Sequence, residues 1–150
     1  MVRLSELYLN YAEALNEFSG PSQEVYDALN KIRERAGIPS VEEAWSNATY
    51  AATLNKHTTQ DGLREIIQQE RMIELAFEGH RYYDIRRWKL AEKYFTTPIQ
   101  GWSVDEDSET NYYQIMDVSQ RSFNTPRDYL QPISFTELSR NPNLIQNPGW

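Results

Sequence analysis

The chain has 150 residues, a net charge of −7, 39% hydrophobic and 25% charged residues, and no cysteine. That length supports one domain, 1–150, burying roughly 70% of its unfolded surface, and the composition is neither disordered nor fibrous. The acidic balance argues against nucleic acid as a partner, since phosphate binding relies on basic groups that displace counterions, and the lack of cysteine removes disulfides, thiolate metal sites and a cysteine nucleophile.

From Arg3 to Phe18, the residues Leu4, Leu7, Tyr8, Tyr11, Ala12, Leu15 and Phe18 recur at three- and four-residue steps and predict one apolar helical face. Ser19-Gly20-Pro21-Ser22 breaks this helix. A second helix follows from Ser22 to Ala36, presenting Val25, Leu29, Ile32 and Ala36, and stops at Gly37 with Pro39 just beyond. So short a turn forces two amphipathic helices to pack antiparallel. The start Met1-Val2-Arg3-Leu4-Ser5 reads as the opening of that helix and not as a secretory signal, and no apolar run approaches the ~20 residues that span a bilayer.

Residues 38–60 are polar and mostly irregular, with a short helix around Val41 to Trp45 and with His57 expected in solvent. Asp61 is placed to cap a third helix running through Glu78, with Leu63, Ile66, Ile67, Ile73 and Phe77 inward. Gly79 interrupts it, and a fourth helix is predicted from His80 to about Tyr94. Thereafter the pattern turns to loop, with an acidic run Asp105-Glu106-Asp107-Ser108-Glu109 and weak strand signals at 112–115 and 129–133. Leu138, Leu144, Ile145 and Trp150 are expected to pin the tail back on the helices.

The most informative stretch is Glu70-Arg71-Met72-Ile73-Glu74-Leu75-Ala76-Phe77-Glu78-Gly79-His80-Arg81-Tyr82-Tyr83-Asp84-Ile85-Arg86-Arg87-Trp88. It resembles the E-R-x-x-E-L-x-F-E-G-x-R-x-x-D-x-R-R-W signature of the SusD/RagB family. The segments Ala12-Glu13-Ala14 and Leu29-Asn30-Lys31-Ile32-Arg33-Glu34-Arg35-Ala36-Gly37, and the ending Asn141-Pro142-Asn143-Leu144-Ile145-Gln146-Asn147-Pro148-Gly149-Trp150, are similar to that family's other blocks in order and spacing. Met72 and Ser134 depart from the pattern where the family often has arginine and proline.

The resemblance implies a mainly α fold: a tetratricopeptide-like antiparallel helical hairpin plus further helices, followed by a loop-rich carboxyl-terminal tail. It implies the carboxyl-terminal portion of a longer protein, whose lone hairpin leaves an apolar face uncovered. It further implies a surface lipoprotein of the bacterial outer membrane that captures oligosaccharide or peptide without turnover for a TonB-dependent, SusC-like transporter. The signal peptide and lipidated cysteine of such proteins are absent from these residues. A tetratricopeptide-like adaptor for protein partners is the alternative.

The residues themselves offer no G-x-S-x-G, Gly-rich phosphate loop or H-E-x-x-H, so no catalytic residue, metal site or cofactor is assigned. Glu70, Glu74 and Glu78 share one helix flank and are read as a structural ion-pair network with Arg71, Arg81 and Arg87. Asp84, three residues from both Arg81 and Arg87, is read as a clamp between two guanidinium groups. Trp102, Tyr112 and Tyr113, in the loop-rich part, are the ligand candidates, because Trp and Tyr combine a flat apolar face with a polar tip.

Overall fold

The computed structural model describes residues 3–105 and 107–150, so the predicted roles of Met1, Val2 and Glu106 lie outside the described residues. The chain divides into two compact units, Met1–Arg81 and Tyr82–Trp150. It is mainly α, opening with the tetratricopeptide-like hairpin.

In the first unit, α1 (Leu4–Ser19) and α2 (Gln23–Ala36) flank a three-residue link, and the chain reverses there. The Ser22 hydroxyl caps α2 by accepting from the Val25 N–H at 3.4 Å. At the other end Gly37 takes the left-handed conformation, φ 70°, and its N–H reaches the Arg33 and Glu34 carbonyls. Next come α3 (Val41–Ser46), a 3-10 turn (Lys56–Thr58) and α4 (Gln60–Glu74). Leu9, Val25, Leu29, Leu63, Ile66 and Ile67 form the centre of one buried cluster. Each such side chain contributes roughly 1.5–3 kcal/mol by leaving water.

The buried face of α1 follows only part of the face its periodicity suggests, with Ala12 buried and Tyr8 and Leu15 packed against the core. Ser5, Leu9, Ala12 and Asn16 face inward, whereas Leu4, Leu7, Tyr11 and Phe18 are exposed, Phe18 at 89%. Apolar residues cover more than one side of this helix, so spacing alone does not choose the stripe to be covered. The covered stripe combines Leu9 with small and bonded residues. Asn16, fully buried, donates from Nδ2 to the Gln60 carbonyl at 3.1 Å, and Gln60 Nε2 donates to the Asn16 and Glu17 carbonyls at 2.7 and 3.1 Å. On α2, Ala36 is likewise exposed beside its glycine cap.

Four further expectations change in this unit. His57 is buried, edge-on to Tyr26 with ring centroids 5.8 Å apart, and its carbonyl accepts from the Tyr26 hydroxyl at 3.0 Å. Burial pushes the Tyr26 phenol up. The 3-10 turn can lie so close because Gly62 has no side chain: a Cβ there would stand 2.0 Å from the Lys56 carbonyl oxygen. Helix α4 is capped by Thr59, whose hydroxyl accepts from the Gly62 N–H at 3.2 Å, while Asp61 sits inside the first turn and pairs with Arg64. It ends at Glu74 instead of Glu78. Ile73 already faces outward in the last turn of α4; past that end the helical phase is lost, so Leu75 turns inward while Phe77, with φ 63°, faces outward.

The predicted fourth helix is two, α5 (His80–Arg87) and α6 (Ala91–Phe95). Lys89, at φ 59°, occupies the left-handed position more often given to glycine, and Leu90 N–H reaches back to the Ile85 carbonyl at 2.8 Å. The strands are β1 (Ile99–Trp102) and, beyond α7 (Glu109–Tyr112), β2 (Ile115–Ser119). They pair antiparallel with Trp102 opposite Ile115. The expected strands at 112–115 and 129–133 do not form, since Tyr112 ends a helix and Tyr129 closes a 3-10 turn (Arg127–Tyr129). Both real strands are largely exposed, so no hydrophobic alternation marks them.

A small cluster of Ile85, Ala91 and Phe123, joined by Phe95 and Tyr129, is the buried centre of the second unit. The chain ends with α8 (Phe135–Arg140) and an irregular segment. Leu144, Ile145 and Trp150 do not pin that tail by burial: Ile145 is 86% exposed. Amides hold it instead. Gln146 accepts from the Ile133 N–H and donates to the Ile133 carbonyl, both at 2.9 Å, Asn147 Nδ2 donates to the Gln131 carbonyl at 2.6 Å, and Trp150 Nε1 donates to the Arg127 carbonyl at 3.0 Å.

Candidate functional site

Trp102 ends β1, Tyr112 ends α7 and Tyr113 follows it, so the hairpin connection returns two tyrosines to the tryptophan. The Ser103 N–H closes that connection, donating to the Tyr112 and Gln114 carbonyls at 3.2 Å each. Ser108 starts α7 by accepting from the Asn111 N–H at 3.3 Å. The result is one cluster of three rings. Trp102 lies 6.0 Å from Tyr112 and 5.1 Å from Tyr113, and the two tyrosines are 5.2 Å apart, centroid to centroid.

Interplanar angles of 81° and 84° make the two contacts of Tyr113 edge-on, while Trp102 and Tyr112 are tilted at 59°, so no two of the rings stack face to face. Trp102 and Tyr113 are 53% and 56% exposed. Neither belongs to a buried cluster. A half-exposed set of rings with hydroxyl and indole N–H tips can stack on a flat apolar face and hydrogen-bond around its rim.

The glutamate ladder has partners that sequence reasoning did not supply. Glu70 pairs with Arg33, Glu74 with Arg3 at 2.9 Å and Arg35 at 2.6 Å, and Glu78 with Arg3 at 2.5 Å. These cations come from α2 and from the residue preceding α1, not from the glutamates' own helix. The contacts to Glu78 and Glu74 hold the Arg3 guanidinium above its ordinary value. Arg71, 4% exposed, turns to α1 instead, donating to Asn10 Oδ1 at 2.6 Å and standing 3.7 Å from Glu13.

Arg81 lies in the first turn of α5, and the buried Asp84 accepts from Arg87 Nε at 2.8 Å. The closely spaced Arg33 and Arg35 of α2 were the available signal for the ladder's partners. Such pairs orient helices and carry no chemistry of their own. Among the described residues no group of three or more His, Cys, Asp or Glu is placed to hold a metal ion. A cleft of about 410 Å3 between α1 and α2 is rimmed by Arg3, Lys31 and Arg35, yet Arg3 and Arg35 are already committed to Glu74.

A SusD family model matches residues 1–150. The SusD-like protein P2 of Formosa agariphila is 39% identical over 150 residues, covering 99% of this chain and 25% of that protein. The solved structure of BT4246 is similar with a TM-score of 0.81 and 33% identity, covering 100% of this chain and 24% of the other. That of BF0978 from Bacteroides fragilis, described as a SusD-like carbohydrate-binding protein, has a TM-score of 0.71 and 34% identity, covering 97% and 28%. The chain thus spans about a quarter of the length of the relatives it matches.

Proposed function

The chain belongs to the SusD family, and on that premise we propose that it is part of a non-enzymatic protein that captures nutrient glycan. The observation that carries this reading is the half-exposed ring cluster of Trp102, Tyr112 and Tyr113. Saccharide rings present an apolar face flanked by hydroxyls, and the cluster offers complementary surface. A protein family with a relative described as carbohydrate-binding supports the ligand class.

The finer reading places the whole protein at the outer face of the outer membrane as a lipoprotein, handing oligosaccharide or peptide to a SusC-like, TonB-dependent transporter. Among the described residues no helix is long and apolar enough to cross a membrane. Hydrolysis is not expected, since the sequence carries no recognisable catalytic motif.

Calorimetry with neutral oligosaccharides tests this. Trp102→Ala should weaken binding about threefold to tenfold, the ~0.5–1.5 kcal/mol of a lost ring contact, and leave the helical circular dichroism intact. Undiminished binding assigns Trp102 to packing. Time-dependent release of reducing sugar overturns the non-enzyme reading. The adaptor alternative draws on the exposed α1 stripe of Leu4, Leu7, Tyr11 and Phe18, and binding of neither saccharide nor peptide would favour it.

A further inference from the structure

A second concavity of about 370 Å3 lies within the carboxyl-terminal unit, lined among others by Tyr82, Arg86, Phe95, Arg121, Phe123 and Asp128. Its volume is that of a small-molecule site. The Arg86 guanidinium lies 4.3 Å from the Tyr82 ring centroid and 5.6 Å from that of Phe123, and Nη1 donates to the Asp128 carbonyl. Stacking fixes the plane of the group, and a planar fork held this way presents its N–H edge to a ligand. Its Nε is buried and has no protein partner.

Arg121 is fixed by neutral acceptors, donating from Nε to the Thr97 carbonyl at 2.8 Å and from Nη2 to the Thr97 hydroxyl at 3.0 Å. Among the described residues neither Arg86 nor Arg121 has a carboxylate within ion-pair distance, whereas Arg3, Arg33, Arg64, Arg71, Arg87 and Arg127 each do. In a chain of net charge −7, two arginines without an acidic partner that share one cavity are an uncommon arrangement. Asp128 also lines the cavity, but its carboxylate is engaged: Oδ1 accepts from Arg127 Nε at 2.7 Å and Oδ2 from the Asn124 N–H at 2.6 Å.

We propose that this cavity is a subsite for the anionic group of a saccharide, a carboxylate or a sulfate ester, held by Arg86 and Arg121 with Tyr82 at its rim. The 41% exposed Tyr82 ring offers the sugar a stacking face, and its hydroxyl already accepts from Gln131 Nε2 at 3.3 Å. This inference rests on the glycan-capture reading and narrows its ligand class.

The test is calorimetry on the full chain with tetragalacturonate, a sulfated galactotetraose and neutral galactotetraose, each at low and high sodium chloride. An anionic tetrasaccharide should bind about tenfold tighter than the neutral one, as expected for a charge-assisted contact, and the advantage should shrink with salt. The better of the two anionic probes distinguishes carboxylate from sulfate. Arg121→Gln should abolish the preference, and Arg86→Lys, which keeps the charge but loses the fork, should reduce it. Inorganic sulfate should shift the Nε–H resonances of both arginines in the unmodified chain.

Neutral and anionic probes binding equally, or a preference that survives both variants, overturns the subsite and leaves glycan capture standing. Tighter binding of tetraglutamate than of either anionic saccharide also overturns it, assigning the cavity to an acidic polypeptide. Binding of no saccharide at all overturns both readings together.

Discussion

The two units solve the problem of holding a chain together in opposite ways. In Met1–Arg81 the helices bury a continuous apolar cluster from α1, α2 and α4, and charged side chains at its edge pair across helices. In Tyr82–Trp150 the buried centre is small, and side-chain amides, arginines and stacked rings bind the irregular backbone. Burial is non-directional and consumes apolar surface, whereas hydrogen bonds to backbone leave aromatic and basic groups at the surface. The unit that spends least on its core is the one that retains a ring cluster and an arginine-lined cavity. On the proposed reading, that division lets one part serve as scaffold while the other presents chemistry to a ligand.

The comparison breaks first if core and tail apolar residues turn out equivalent. Ile66 is 1% exposed, and Ile66→Ala should cost about 3 kcal/mol in urea unfolding through lost transfer energy and the cavity left behind. Ile145→Ala, at an 86% exposed position, should stay within about 0.5 kcal/mol. Similar losses at both sites would mean that the tail is held by burial after all.

A smaller effect tests the amide closure. Gln146→Ala removes both bonds to Ile133 and should destabilise the tail locally by ~1–2 kcal/mol. Hydrogen exchange should quicken at the Ile133 amide while the urea midpoint of the helical unit stays fixed. A shift of that midpoint would show that the units unfold together.

The smallest expected effect comes from acid. Burial alone would raise the Glu42 carboxyl, but hydrogen bonds from Asn30, its own backbone N–H, Gln23 and Ser40 carry it below the ordinary 4.5. A carboxylate lowered on folding contributes stability above its unfolded value and loses it as the pH falls through the folded one. Asp128 in the second unit, lowered by Arg127 and the Asn124 N–H, behaves with the same sign. The thermal unfolding midpoint should therefore fall as the pH drops below 4.5, and Glu42→Gln should flatten part of that slope. The Gln146 closure has no titrating group, so the Ile133 amide resonance should hold its position until Asp128 titrates.

The scaffold was legible because its signals are local. Ser22, Gly37 and the three-to-four-residue spacing of Val25, Leu29 and Ile32 place α2 from sequence alone. Where the answer depends on a distant partner, sequence falls short. His57 looks solvated until Tyr26 covers it, and the Glu70, Glu74 and Glu78 ladder looks internal until Arg3, Arg33 and Arg35 arrive. Trp102, Tyr112 and Tyr113 could be chosen by residue type, but their meeting depends on the β1–β2 register, which carries no hydrophobic alternation to read. Arg86 and Arg121 share a cavity although 35 positions separate their numbers, and no motif links them.

The reciprocal amides of Asn16 and Gln60 have a mechanical consequence. Apolar contacts between two helices tolerate sliding, because a shift by one turn, about 5.4 Å, brings similar side chains back into similar grooves. Directional bonds do not. Three of them join the end of α1 to the start of α4, across 43 or 44 positions in the chain, and each would be lost in such a slip. The pair is a vernier mark between the helices, setting their axial offset to a single value. A hairpin indexed in this way delivers the glutamates of α4 to the same arginines every time it folds.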